Sequence, residues 1–244
     1  MKQYFNVYLE FDADHVDERI QTAIAEKGKG YVCSVESNNL TYANTHPDFM
    51  KVVNGAMVNI CDGSNIAWLL GIIHRKPFKP YIGANLFLKY IRMCCYKQYF
   101  LGNTQLVLDG LKENLSQIDP QISRMPFEEL PFLSVNEFDY AGIASRINRE
   151  KPDIIWISLG APKQEQFMNL LLPHLEQGVM FGFGAIFNFY AGVGNVKRAP
   201  RWMLKIHLEW LYRAIEEPKK NIPRYWKFIK ILPGLVYEEK KKRN

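Results

Sequence analysis

The chain has 244 residues, of which 48% are hydrophobic and 23% charged, a size that suits one α/β domain with an appendage and makes stabilising disulfides unnecessary. Its four cysteines, Cys33, Cys61, Cys94 and Cys95, lack metal-ligand spacing, so they predict reduced thiols of a cytosolic protein and argue against a structural zinc site. The net charge is +6, but residues 197–244 carry 14 Lys and Arg against 5 Asp and Glu (net +9), which leaves 17 against 20 (net −3) for residues 1–196.

The first third of the chain alternates between strand and helix patterns. Residues 5–11 alternate like a strand, residues 14–26 have apolar side chains at helical spacing, and residues 31–35 form an apolar run. The pattern then repeats with a predicted strand at 58–61 and a helix at 65–71. Strands that alternate with helices predict a parallel sheet whose site lies at the carboxyl ends of the strands.

The middle of the chain continues this alternation. Predicted helices cover 86–96, 105–115 and 136–149, predicted strands cover 99–101 and 154–158, and a loop with a short strand covers 119–131. Residues 177–196 carry no charge and are long enough to cross a bilayer, but their five glycines favour a strand and a phosphate-binding loop. The predicted fold is therefore α/β, with a Rossmann-like, mainly parallel sheet.

Polar residues follow two of these strands where a site is expected. Asp62 comes directly after a predicted strand and before Gly63, so its carboxylate is a candidate general base, or else a turn or helix-cap aspartate. Ser34 ends the preceding strand and is a candidate hydrogen-bond donor to a diphosphate, or else an ordinary turn serine. Glu36 and Asn38 follow it as further candidate polar contacts to a ligand.

Two later turns carry further candidates. Gly160, Pro162, Lys163 and Gln164 stand where a buried strand passes into a helix, and a helix start is suited to phosphate, with Lys163 as an added cation. The alternative is a capped strand-to-helix turn. Gly182 and Gly184, which end the next strand, would let a nucleotide approach the backbone, or else serve tight strand packing.

The basic tail mixes cations with aromatic side chains. Arg201, Arg213 and Arg224 lie among tryptophans, tyrosines and leucines, which favours an anionic membrane surface over nucleic acid as the partner. We expect Pro218 and Pro223 to break the tail into two helices. The predicted division is a catalytic domain at 1–196 and a membrane-associating appendage at 197–244, or, alternatively, a terminal helix that simply packs on the body.

Four sequence motifs follow one another between residues 160 and 218. They are GxPKQE at 160–165, GxGAxFxFxAG at 182–192, Arg198-Ala199-Pro200 followed by Trp202, and Glu209-Trp210-Leu211-Tyr212-Arg213 ahead of Glu217-Pro218. With them the chain resembles the WecG/TagA/CpsF glycosyltransferases, glycosyltransferase family 26. The resemblance is strong from 152 to 218 and implies a Rossmann-like catalytic domain of the GT-E type with a C-terminal helical appendage.

The resemblance also implies an activity. It implies an inverting, metal-independent transferase that needs no cofactor and moves a sugar from a UDP-sugar to an undecaprenyl diphosphate-linked sugar, in the synthesis of capsule, teichoic acid or another surface polysaccharide. Such an enzyme would be peripheral, at the cytoplasmic face of the cell membrane. The apolar faces of its appendage would also allow a homo-oligomer.

Residue roles follow from the matching positions. The resemblance makes Asp62 the catalytic base, places Gln164 at the active centre for sugar-donor or transition-state hydrogen bonds, and gives Ser34 the place of a family threonine. The appendage would close over the site and touch the membrane. Its candidate contacts to the diphosphate, the acceptor or the membrane are Arg198, Arg201, Arg213, Lys220 and Arg224.

The chain departs from the family pattern at four positions. Glu36 replaces an asparagine, Asn85 and Asn188 replace acidic residues, and Lys220 replaces an arginine. Asn188 keeps its hydrogen-bonding capacity and stays a candidate contact to the sugar donor or its nucleotide. Two alternatives remain, a nucleotide-dependent oxidoreductase and a non-catalytic membrane module. An oxidoreductase would need a GxGxxG after the first strand, which this chain lacks. A membrane module would leave Asp62 and the PKQE turn without a role.

Overall fold

A computed structural model describes residues 1–193, 203 and 209–242, with the backbone alone described at 209, 210 and 213. Its centre is a six-stranded sheet in the order β4-β3-β8-β7-β5-β6, and every neighbouring pair is parallel. The strands of this sheet are β3 (Lys29–Val35), β4 (Val58–Cys61), β5 (Gln98–Gly102), β6 (Phe127–Glu128), β7 (Ile154–Ser158) and β8 (Gly178–Gly182). The predicted α/β fold with a mainly parallel sheet is confirmed.

Helices cover both faces of the sheet. In chain order they are α1 (Ala13–Ala25), α2 (Ser37–Thr45), α3 (Pro47–Asn54), α4 (Ser64–His74), α5 (Gly83–Arg92), α6 (Gln105–Ser116), α7 (Tyr140–Glu150), α8 (Lys163–Leu171), α9 (Gly184–Ala191), α10 (Glu209–Glu216) and α11 (Pro218–Lys241). Short 3-10 turns lie at Pro120–Arg124, Val135–Glu137 and Leu172–His174.

The sheet separates two apolar cores. Successive residues of a strand point to opposite faces, so Cys33 and Val35 enter one core while Val32 enters the other. The first core also takes side chains from α2, α3, α4, α7, α8 and α11, and the second takes them from α1, α5, α6 and α9. Because both faces are covered, the strands are continuous apolar runs, which is why most of them are visible in the sequence.

The predicted first strand is present in part, because β2 (Val7–Leu9) lies within residues 5–11. Although Glu10 bridges to Ile60 of the six-stranded sheet, β2 itself pairs with β1 (Lys2–Tyr4) in a separate antiparallel hairpin. Phe5 and Asn6 make its turn with φ of 47° and 67°, a left-handed conformation that the apolar alternation does not reveal. The hairpin lies beside the β4 edge, where the Glu10 amide donates to the Asn59 carbonyl at 2.9 Å.

The predicted break at Pro223 is wrong. A single helix, α11, runs from Pro218 to Lys241 through Pro223 and Pro233. Pro223 removes only the hydrogen bond to the carbonyl of Lys219, which is exposed, so that water can bind this group. The break at Pro218 itself is present, between α10 and α11.

The C-terminal helix is held against the body near its end. Leu235 is 7% exposed and belongs to the first core, and the carboxylate of Glu239 is buried. This carboxylate accepts from the Phe5 amide at 2.8 Å and lies 2.9 Å from Nε2 of His74. Across the described part of the chain, no helix combines the length and apolarity that a membrane crossing requires.

Candidate active site

A cavity of about 410 Å³ opens at the carboxyl ends of β3, β4 and β8. One wall comes from these strand ends and from the starts of α2, α4 and α9, and the other comes from the first turns of α11. The sequence-predicted residues that line it are Ser34, Glu36, Asn38, Asp62, Gln164, Gly182, Gly184 and Arg224. The fold therefore gathers residues that lie up to 190 positions apart in the chain, from Ser34 to Arg224.

Asp62 is held from two sides. Its Oδ2 accepts from the Ser34 hydroxyl at 2.7 Å, and its Oδ1 accepts from the Gly83 amide at 2.9 Å. The first contact joins the ends of neighbouring strands β3 and β4, and the second comes from the start of α5. The carboxylate is thus fixed in orientation by two donors, as a positioned general base requires.

Ser34 has a single hydroxyl hydrogen, and it donates this hydrogen in the hydrogen bond to Asp62. A carboxylate only accepts hydrogen bonds when ionised, so the serine is the donor of this pair. A bond from Ser34 to a diphosphate oxygen would require this contact to be exchanged. In the present geometry Ser34 positions Asp62.

Glu36 caps a helix rather than facing the cavity as an uncompensated charge. Its carboxylate accepts from the backbone amides of Asn38 at 2.8 Å and Asn39 at 3.1 Å, at the start of α2. This is the usual arrangement of an N-cap side chain, and the positive end of the helix stabilises the charge. Glu36 therefore has a local structural role at the start of α2.

Gln164 joins two turns of the cavity wall. Its Nε2 donates to the Gly182 carbonyl at 2.7 Å and to Oε1 of Glu165 at 3.0 Å, while its Oε1 accepts from the Gly184 amide at 3.1 Å. The two backbone partners fix the orientation of the amide, because only the nitrogen can donate and only the oxygen can accept. The second lone pair of Oε1 is what this side chain can still offer to a substrate hydroxyl.

Two glycines make this junction possible. A Cβ on Gly184 would lie 2.8 Å from the Gly160 nitrogen and 3.0 Å from Oε1 of Gln164. These distances are shorter than normal non-bonded contacts of a Cβ atom. Gly160 has φ of +75°, a conformation that side chains disfavour, although the space around it is open. Gly184 is thus needed for its size and Gly160 for its backbone conformation.

Glu165 lies beneath the cavity with no exposed surface. Burial raises the pKa of this carboxyl from 4.5 to about 7, and the bonds from Gln164 and Asn39 oppose that rise. The amide of Asn39 bridges its Oε1 at 3.1 Å and the Ser34 carbonyl at 2.9 Å. A polar connection therefore runs under the cavity floor from Gln164 to the strand that carries Ser34.

Helix starts surround the cavity. The starts of α4 and α9 line the cavity, and neither helix has a side-chain hydrogen bond capping its first turn, which is also true of α3, α5, α6, α8 and α11. Exposed amides at a helix start and the helix dipole favour an anion. Arg224 adds a full positive charge on the opposite wall, beside Asn221 and Tyr225.

Several predicted residues lie outside the cavity lining. The Lys163 ammonium donates to the Leu133 carbonyl and lies 5.0 Å from the centre of the Phe138 ring. Asn188 accepts from Asn103 at 3.2 Å, and Lys220 pairs with Glu217 at 2.9 Å on the surface. Gly160, Pro162 and Asn85 are also absent from the lining residues, Asn85 being exposed at the start of α5.

Arg198 and Arg201 lie outside the described residues, as does the side chain of Arg213. Asn221, by contrast, lines the cavity and is 7% exposed, and the sequence analysis did not single it out. Its position three residues before Arg224 is the signal that could have found it, because residues three apart share a helix face.

No three His, Cys, Asp or Glu side chains within the described ranges lie together as a metal site would require. Metal independence stays a prediction.

Comparison with known proteins gives the family. The model of the glycosyl transferase WecG/TagA/CpsF family matches residues 5–244. A Staphylococcus aureus (strain MW2) protein named N-acetylglucosaminyldiphosphoundecaprenol N-acetyl-beta-D-mannosaminyltransferase is 28% identical over 91% of this chain and 84% of its own. A Bacillus subtilis (strain 168) protein of the same name is 26% identical over 73% of this chain and 70% of its own. The chain belongs to the WecG/TagA/CpsF family of glycosyl transferases.

Proposed function

We propose that the protein is an inverting, metal-independent glycosyltransferase that moves a sugar from a UDP-sugar to a sugar on undecaprenyl diphosphate. The observation that carries the proposal is the carboxylate of Asp62, held by Ser34 and the Gly83 amide in the wall of a cavity ringed by helix starts. A base and an anion-binding surface in one cavity are what this reaction needs. Family membership argues against the oxidoreductase and the non-catalytic module.

The reaction we propose is a single displacement. The acceptor hydroxyl oxygen attacks the anomeric carbon of the donor sugar from the face opposite the diphosphate, and Asp62 takes the hydroxyl proton. The bond between the anomeric carbon and the diphosphate oxygen breaks, and UDP leaves with the electron pair. Positioned base catalysis of this kind typically contributes about 10²- to 10⁴-fold in rate.

The charge of the leaving UDP needs groups that favour an anion. The starts of α4 and α9 and the guanidinium of Arg224 line the cavity and can serve this role. Gln164 would accept from a sugar hydroxyl and keep the Gly182 and Gly184 backbone in place. These groups act on the diphosphate without a metal ion.

The names of the relatives supply the substrates to test first. Both act, by name, with N-acetylmannosamine on an N-acetylglucosaminyl diphosphoundecaprenol, with a beta linkage. We assign the same class of lipid-linked acceptor to this chain and place the protein peripherally at the cytoplasmic face of the membrane. Exposed Ile222, Trp226 and Ile229 on α11, beside Lys227 and Lys230, fit contact with an anionic bilayer.

The test is acceptor-dependent release of UDP by the full chain. UDP-N-acetylmannosamine and other UDP-sugars are each offered with a synthetic lipid diphosphate N-acetylglucosamine, with excess EDTA throughout. We expect one donor to give UDP and a product whose anomeric configuration, read by NMR, is opposite to that of the donor. Absence of transfer with every UDP-sugar would overturn the donor class, retained configuration would overturn inversion, and a requirement for added magnesium or manganese would overturn metal independence.

A further inference from the structure

A second cavity, of about 490 Å³, runs along one face of α4. At 3.6 residues per turn, Ala67, Trp68, Gly71 and Ile72 fall on the same face of this helix, and all four line the cavity. Arg75 follows the last residue of α4 with φ of 53°, and the chain then turns back along the helix. As a result, a Cβ on Gly71 would lie 3.4 Å from the carbonyl oxygen of Lys76. The result is a groove between the helix and the returning segment.

The groove is apolar and open. Trp68 is 61% exposed and Ile72 is 56% exposed, whereas Ile66 and Leu70 on the opposite face of α4 are fully buried. Phe78 continues the apolar lining on the returning segment. Large apolar side chains exposed side by side in a concave surface indicate a binding site for an apolar ligand.

The groove begins where the active-site cavity ends. Ser64 and Pro80 line both cavities, and Ser64 is the first residue of α4, whose start favours an anion. Arg75 lies about 16 Å further along the helix at 1.5 Å per residue. There Lys76 places its ammonium 4.9 Å from the centre of the Phe78 ring, and none of the residues that line the groove is acidic.

We propose that this groove binds the polyprenyl chain of the lipid-linked acceptor, with the diphosphate at the Ser64 end. The inference rests on the proposed function, which requires an acceptor sugar near Asp62 and an apolar chain leading away from it. The surface has the matching order: an anion-favouring helix start, an apolar middle, and cations at the far end. Arg75 and Lys76 would there meet the anionic headgroups among which the chain enters the bilayer.

The test compares two acceptors that share the diphosphate-linked sugar and differ in the lipid. One carries a long polyprenyl chain and the other a short, water-soluble alkyl chain, and both are assayed in detergent micelles without a bilayer. The measured quantity is the ratio of kcat/KM for the long acceptor to kcat/KM for the short one. We expect Trp68→Ser with Ile72→Ser to lower this ratio at least about tenfold, mainly through KM of the long acceptor.

Gly71→Leu tests the same groove by filling it, and we expect it to lower the ratio as well. The matched control is Leu106→Ser on α6, an apolar side chain that is 66% exposed outside both cavities. The control should keep the parent ratio, and thermal melting should show all variants folded.

A ratio that is unchanged in both groove variants would overturn the groove while leaving the proposed function intact. A loss of vesicle binding or of self-association with an unchanged micelle ratio would also overturn it, and would assign the surface to the bilayer or to a second copy. If the parent transfers sugar to neither acceptor, the proposed function fails instead, and the groove inference falls with it.

Discussion

The two walls of the active-site cavity differ in how their residues are held. On the sheet side, Ser34, Asp62 and Gln164 bond to one another's elements at strand ends, and Ser34 and Gln164 are almost fully buried. On the α11 side, Arg224 and Tyr225 are only half-buried. The buried Leu235 and Glu239 of this helix lie in its C-terminal part, away from the cavity. The contrast is that the proposed base and the turn geometry are built into the sheet, while the proposed positive charge for the leaving group comes from an added helix.

The attachment of α11 explains how that second wall keeps its place. Glu239 lies four turns beyond Arg224 and binds both the Phe5 amide and His74, so a buried contact at one end of the helix positions the cation at the other. Leu235 adds apolar contact with the first core.

After substitution of Asp62, the largest effect on activity is expected from substitution of Gln164, also on the sheet side. Gln164→Ala removes the bonds to Gly182 and Gly184 and the acceptor offered to the sugar, so transfer should fall about 10²- to 10³-fold. Gln166→Ala, on the same helix and outside the cavity lining, is the control and should stay near the parent rate. A Gln164→Ala rate within a few-fold of the parent, in a folded protein, would remove this residue from the site.

The next prediction concerns stability and the buried contact that attaches α11 to the body of the protein. Glu239→Ala leaves the buried Phe5 amide without its acceptor and should lower the free energy of unfolding by roughly 3 kcal/mol. Glu238→Ala is the matched control, because this neighbour is exposed and pairs with Lys241 at 3.7 Å on the surface. Urea unfolding of both variants measures the difference, and equal stabilities would mean that Glu239 does not hold the helix.

A smaller effect is expected from the cation of the α11 wall. Arg224→Ala should lower kcat/KM for the UDP-sugar by about tenfold, the usual effect of losing a charge-assisted hydrogen bond. Lys227→Ala removes an equal charge from the next turn of the same helix, on the exposed surface, and should have little influence with a soluble acceptor. Equal losses in both variants would show that Arg224 contributes only general charge.

The last effect depends on pH and concerns the floor of the sheet wall. Burial raises the pKa of Glu165 to about 7, while the unfolded chain titrates near 4.5, so the folded state holds a proton that the unfolded state has lost between these values. This carboxyl therefore makes stability fall as pH rises from about 4.5 to 7, by at most about 1.4 kcal/mol per pH unit. Glu165→Gln should remove that slope from unfolding curves measured at pH 5, 6 and 7; an identical slope would contradict it.

The sequence predicts most of the sheet, because strands covered on both faces are apolar runs such as Ile154–Ser158 and Val58–Cys61. It does not predict α2 and α3, since α2 is mainly polar and its start depends on the Glu36 cap. The hairpin is missed because two residues with positive φ interrupt an alternation that continues on both sides.

For the site, sequence reasoning finds residues at strand ends but not the contacts that decide their roles. Asn39 and Glu165 are 126 positions apart, and His74 and Glu239 are 165 apart, so no local period reveals either pair. The same holds for Ser34, whose hydroxyl the fold directs to Asp62, 28 positions away. Roles that depend on tertiary partners require the three-dimensional structure.

The most direct test of the account is Asp62→Asn. Asparagine keeps the size of the side chain and an oxygen for one of the two bonds, but it cannot take the acceptor proton. UDP binding is measured by calorimetry and sugar transfer by UDP release, on the same preparation. We predict UDP affinity close to that of the parent and transfer lowered by at least about 10²-fold. Transfer within a few-fold of the parent would contradict the central claim that Asp62 is the base.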